Sequence, residues 1–162
     1  MTNGGGLTVT AQGEREIVMT RAFDAPRGLV FDAWIKPEAI TRWLLGPRGW
    51  SMIVCDVDPR AGGTYRYVWR NERDGRDMGM GGVYREVVRP ERLVATEKFD
   101  ETWYPGEAVG TMAFVEQGGR TTLTQTLRYE SRAARDTVIA SNMQHGVAAS
   151  YDRLVGYLAS IA

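Results

Sequence analysis

The sequence is poor in the residues from which most recognisable active sites are assembled. It holds one histidine, His145, and one cysteine, Cys55. Metal centres built on several imidazole or thiolate ligands are therefore excluded, as is a disulfide within the chain. No EF-hand loop and no G-x-S-x-G elbow occurs, and neither a metal nor a cofactor is expected. Charge of one sign is missing as well. Twenty basic residues balance twenty acidic ones, so there is no electrostatic footprint for nucleic acid or an anionic membrane. No apolar run approaches the ~18 residues of a membrane span. The opening MTNGGGLTVTAQG has neither the basic start nor the apolar stretch of a signal peptide. Its glycines and small polar residues predict a loose tail over residues 1–14, followed by a single domain over 15–162. A cytoplasmic location is the expectation.

What is present is ordinary globular material, 43% apolar and 25% charged over 162 residues, enough for one sizeable core. EREIVMTRAF alternates, with Ile17, Met19, Arg21 and Phe23 on one side, and predicts a strand. Asp24 or Ala25 then caps a short helix with Pro26 in its first turn, and Val30, Phe31 and Trp34 share its inner face. Pro37 opens a second short helix bearing Ile40, Trp43 and Leu44, stopped by Gly46-Pro47. About six strands follow, punctuated at Asp74-Gly75, Pro90, Tyr104-Pro105-Gly106 and Gln117-Gly118-Gly119. Beyond Ser131, a good N-cap, the period changes. Met143, Val147, Tyr151, Leu154, Leu158 and Ile161 recur at steps of three and four, which predicts one long amphipathic helix over 133–161. Strands in succession with helices segregated from them make an α+β fold.

The glycine-rich stretch DMGMGGVYREVV resembles a phosphate loop only in composition. Gly79-Met80-Gly81 begins a G-x-G-x-x-G pattern, but Tyr84 occupies the third glycine position, and no Lys-Ser/Thr pair of a Walker loop follows. A β-branched strand follows it where the fingerprint needs a helix. Glycines inside a strand mark a bend or the close approach of another backbone. The expected inward face is Met80, Gly82 and Tyr84, but Val83 and Val87 make the other face apolar too, and a shift of one residue reverses the assignment.

Two polar side chains fall on apolar faces. Glu97 shares a face with Leu93, Ala95 and Phe99, and must find a partner or shift its pKa upward. The simpler reading is an ion pair with Arg66 or Arg85; the alternative is a polar anchor or proton acceptor inside a cavity. Gln125 is flanked in the same way by Leu123 and Leu127. Convergent polar groups among aromatics are what a small-molecule pocket needs. Trp34, Trp43, Tyr65, Tyr67, Trp69, Phe99, Phe114 and Tyr151 supply aromatics for either a core or a pocket wall. His145 sits at the flank of the helical stripe, a position more often solvated than catalytic. Cys55, inside SMIVCDV, reads as a packed, inert thiol.

The segments FDAPRGLVFDAWIKPEAITRWLLGPRG, GGVYREVVRPERLVATEKFD and GGRTTLTQTLRYESRAARD, with the closing helix, resemble the START-like (SRPBCC) superfamily. Within it they are similar to bacterial proteins related to the C-terminal domain of the activator of heat-shock protein 90 ATPase. The resemblance spans about Arg15 to Leu158. It implies a helix-grip (Bet v 1-like) fold, in which a curved antiparallel sheet wraps a long C-terminal helix around a cavity for a small hydrophobic or aromatic molecule. It matches Trp43, Gly82, Tyr84, Met143 and Gly146 to positions of the fold pattern and transfers no catalytic residue. The cavity-lining candidates are then Trp34, Trp43, Tyr65, Tyr67, Trp69, Met80, Gly82, Tyr84, Glu97, Phe99, Phe114, Gln125, Met143, Val147 and Tyr151. The alternatives are an enzyme of the polyketide cyclase/hydrolase type using Glu97 or His145 as acid/base, and a chaperone-activator-like interaction module. The expected partner is a small hydrophobic molecule rather than nucleic acid or membrane, with homodimerisation left open.

Overall fold

The alternating stretch at Glu16 forms a strand whose Ile17, Met19 and Phe23 are buried, as its period requires. The computed structural model describes residues 6–162. Along them run β1 (Thr8–Gln12), β2 (Glu16–Phe23), α1 (Arg27–Asp32), α2 (Pro37–Trp43), β3 (Trp50–Val57), β4 (Thr64–Asn71), β5 (Asp77–Val88) and β6 (Arg92–Phe99). Then follow β7 (Ala108–Gln117), β8 (Arg120–Arg128), α3 (Arg132–Ala140) and α4 (Gln144–Ile161). The eight strands make one antiparallel sheet in the order β1-β2-β8-β7-β6-β5-β4-β3. Tyr151, Leu154 and Leu158 of α4 are buried in the same core as sheet residues Tyr65, Met112 and Leu123 and helix residues Phe31 and Trp43. This is the α+β helix grip.

Three expectations need correction. The stretch expected as a loose tail over 1–14 contains β1, which pairs with β2 from Thr8↔Thr20 to Gln12↔Glu16. The turn between them is fixed by Arg135, 4% exposed, whose guanidinium donates to the carbonyls of Gly13 and Glu16 at 3.2 and 2.9 Å. Residues 1–5 of the expected tail lie outside the described residues. Secondly, α1 begins one residue later than the sequence suggests: Pro26 is its extended N-cap, without a side-chain cap bond. Thirdly, the helix expected over 133–161 is two helices. Asn142 adopts φ 66°, and the Ser141 hydroxyl donates to the Val138 carbonyl at 2.5 Å. Asparagine is among the few residues that enter the left-handed region readily, so the hydrophobic stripe continues through a break that periodicity does not reveal. Ser131 caps α3 as expected, accepting from the Ala134 N–H.

The glycine-rich stretch is strand β5, and its glycines permit close backbone approach. Opposite Gly82 the regular ladder is interrupted. The Val83 N–H donates to the Thr96 hydroxyl at 2.8 Å, while the Thr96 carbonyl accepts the Tyr65 hydroxyl at 2.7 Å. A Cβ on Gly82 would run into that carbonyl. The strand faces as expected: Met80 and Tyr84 are buried, and Val83 is exposed.

Candidate functional site

Between the inner face of the sheet and α4 lies a cavity of about 320 Å³. Its floor is set by strand register. Tyr65 lies opposite Gly82, and Glu97 lies opposite Ala108. Because Met80 faces Phe99 and Tyr84 faces Ala95, Gly82 also falls beside Glu97. Glu97 thus stands between Gly82 and Ala108 in its row. Its far walls are α4 and the Leu44–Pro47 loop. That loop is strapped down: the Gly46 N–H donates to Ser150 Oγ at 2.9 Å, Arg153 donates to the Gly46 carbonyl at 2.6 Å, and Trp69 Nε1 donates to the Leu44 carbonyl at 2.8 Å. Met78 and Trp103 line the cavity and are exposed, so they form its rim.

Eleven lining residues are aromatic. One group, Tyr65, Tyr67, Trp69 and Tyr84, has neighbouring ring centroids 5.1–5.8 Å apart. The other, Phe99, Trp103, Tyr104 and Tyr129, is linked by centroid distances of 5.0–6.3 Å. Some polar groups of the wall are satisfied within the protein. Tyr65 bonds Thr96, Tyr67 bonds Tyr84, and the Tyr151 hydroxyl donates to Gln125 Oε1 at 2.7 Å.

Others are not: among the described residues the buried indole N–H of Trp34 and the hydroxyls of Tyr104 and Tyr129 find no partner, and neither does the carboxylate of Glu97. Among the described residues it makes no ion pair and no hydrogen bond within the protein. The expected partners are elsewhere: Arg66 forms a bidentate pair with Asp100 at 2.9 and 2.6 Å, and Arg85 is exposed. The ion-pair reading of Glu97 is thereby overturned. It fails because the guanidinium of Arg66 lies on the opposite face of β4 from Tyr65 and Tyr67. Removal from water pushes the Glu97 carboxyl up to about 7. Its negative charge in turn helps hold the hydroxyls of Tyr65, Tyr104, Tyr129 and Tyr151 above the ordinary phenol range, after the larger effect of burial.

Of the candidates named from sequence, the structure brings Trp34, Tyr65, Tyr67, Trp69, Met80, Tyr84, Glu97, Phe99, Gln125, Met143, Val147 and Tyr151 to the cavity wall. Three are not there. Trp43 is fully buried behind Trp34, at 4.4 Å between ring centroids, with its indole N–H on the Ala33 carbonyl. Phe114 packs edge-on against Phe31 beneath α1. Gly82 bends the floor without lining it. His145 is exposed and away from the cavity, so the acid/base role considered for it is withdrawn. Cys55 is half-buried, and burial followed by the charge of Asp56 pushes its thiol up to about 11, which suppresses the thiolate.

Sequence reasoning missed several wall residues. Tyr129 continues the Leu123, Gln125, Leu127 alternation, and Met19 belongs to the inward face of β2; both were findable by period alone. Trp50 starts β3, where the burial pattern is irregular. Trp103 and Tyr104 lie in a loop, where no period applies. No group of three or more potential metal ligands occurs among the described residues, and no helix there is long and apolar enough to cross a membrane.

A family model described as Activator of Hsp90 ATPase homolog 1-like protein matches residues 24–159. Among solved structures, one of a Rhodobacter sphaeroides protein is 29% identical, with a TM-score of 0.88 over 95% of this chain and 99% of that one. A Chromobacterium violaceum protein is 26% identical, with a TM-score of 0.75 over 88% of this chain and 96% of that one. An AHSA1-like protein from Aeromonas hydrophila shares the fold at 20% identity, with a TM-score of 0.69 over 86% and 91% of the two chains. No curated protein sequence matches the chain significantly.

Proposed function

The chain belongs to the family of Activator of Hsp90 ATPase homolog 1-like proteins, and we propose that it is a binding module for a small aromatic or apolar molecule held between sheet and α4. The observation that carries this reading is the cavity itself. Cores are packed to crystal-like density, yet about 320 Å³ remains open here beside a wall of aromatic and methionine side chains. Ligand sites have this size and composition. A void of this kind lowers stability unless something fills it. Native mass spectrometry of protein purified from its own host tests the reading, with an adduct expected that is lost on denaturation. The variant Ala95→Phe projects bulk into the cavity and is expected to abolish the adduct while the protein stays folded. Its persistence in a folded Ala95→Phe protein would place the ligand elsewhere.

One observation favours a second reading. Glu97 has the position and the near-neutral pKa of a general acid/base, which keeps an enzyme of the cyclase or hydrolase type in view. On that reading Glu97→Gln leaves ligand affinity intact and removes turnover.

A further inference from the structure

The charge inventory of the cavity is one-sided. Among the described residues Glu97 is the only charged one in the wall, which includes no lysine, arginine or histidine. Outside the wall, Arg21 of β2 is tied to Asp152 at 2.9 Å and Arg153 of α4 to the Gly46 carbonyl at 2.6 Å. The other titratable groups of the wall among the described residues are tyrosines: Tyr65 and Tyr67 from β4, Tyr84 from β5, Tyr104 from the β6–β7 loop, Tyr129 after β8 and Tyr151 from α4. All stay neutral at ordinary pH. A carboxyl in such a place lacks only a positive partner.

We propose that the cavity takes an organic monocation, a one- or two-ring amine whose ammonium group sits against Glu97 while its ring lies among the tyrosines. The proposal deepens the binding reading above and rests on it. The geometry supports it in three ways. Aromatic groups stand on both sides of Glu97, and the electron-rich faces of Tyr and Trp attract cations. Among the described residues the hydroxyls of Tyr104 and Tyr129 have no hydrogen-bond partner. At the far end, Gln125 has its carbonyl occupied by Tyr151, which leaves the NH₂ to donate to an acceptor on the ligand. A neutral ligand would leave the carboxyl unmatched, and an anion would be repelled.

The pH behaviour follows from the same geometry. A cation needs Glu97 ionised, so its binding strengthens as pH rises through about 7 and releases a proton below that value. An amine with a pKa near ~10, like that of lysine, stays charged throughout.

The test uses three matched probes in isothermal titration calorimetry at pH 8: tryptamine (cation), tryptophol (neutral) and indole-3-propionate (anion). Tryptamine is expected to bind at least ten-fold more tightly than tryptophol, and the propionate more weakly than both. In Glu97→Gln the tryptamine affinity should fall to that of tryptophol, which itself should not change. At pH 5.5 tryptamine affinity to the unmodified protein should drop by ten-fold or more, with buffer-dependent heats showing proton release on binding near pH 6.5. Tryptophol binding as tightly as tryptamine, or a preference that survives Glu97→Gln, overturns the proposal. A neutral fluorescent probe, N-phenyl-1-naphthylamine, separates the two readings. If it binds while tryptamine shows no preference, the cation inference fails and the cavity reading stands. If none of the four probes binds, both fail.

Discussion

The hydroxyl of Tyr151 donates to Oε1 of Gln125 at 2.7 Å, joining the middle of α4 to the middle of β8 across the cavity. One side chain is buried and the other half-buried, so water competes poorly for the bond. Tyr151→Phe should cost about 1 kcal/mol, which in a domain of this length lowers Tm by roughly 2–4 °C. Gln125→Leu made in the Tyr151→Phe background should cost less than in the unmodified protein. Calorimetric melting of the double-mutant cycle checks this.

Gly82 tolerates no side chain. A Cβ there meets the Thr96 carbonyl, which is already held by Tyr65. Gly82→Ala should destabilise by at least ~2 kcal/mol and Gly82→Val by more. Gly146→Ala is the control, since its added methyl would lie 3.4 Å from Pro47 Cδ and should change stability little. Urea denaturation of the three variants provides the comparison.

Glu97 links stability to pH. Its carboxyl titrates near its ordinary 4.5 when unfolded and at about 7 in the fold. Between those values the native state holds a proton that the unfolded chain has lost. This contribution to stability is fully present below about 4.5 and is lost as pH rises through about 7. The loss should be on the order of 2 kcal/mol, below the full shift because the side chain is only part-buried. Glu97→Gln should flatten this component. The difference between the two proteins' unfolding free energies at pH 5 and pH 8 measures it.

Asn142 sits at φ 66° between α3 and α4. Asn142→Val should cost about 1–2 kcal/mol, because a β-branched residue is strained there, whereas Asn142→Gly should be close to neutral. Thermal melts distinguish these. Equal stability of the two variants would mean that the break relaxes into a continuous helix.

Much of the wall was legible because faces follow from period. Tyr65, Tyr67 and Trp69 alternate in β4, and Glu97 alternates with Ala95 and Phe99 in β6; all six line the cavity. Trp43 and Phe114 obey the same rule, but their depth does not follow from it. Phe114 packs against Phe31 of α1, and Trp43, at the end of α2, packs behind Trp34, so both are sealed off from the cavity. The break at Asn142 escaped because an apolar stripe can cross an interruption without losing its spacing.

Most strand faces, the two short helices, the exclusion of metal centres that need several histidines or cysteines, and the acid on an apolar face follow from the sequence alone. These are local properties, settled by the two-residue and 3.6-residue periods of the backbone. Tertiary structure decided that Arg66 goes to Asp100 and leaves Glu97 alone, and that the space before Glu97 stays open. A partner depends on which guanidinium the strand pairing brings to the same side of the sheet. An opening depends on how far the curved sheet stands from α4 compared with the volume of the side chains between them. Neither distance is encoded in a local period.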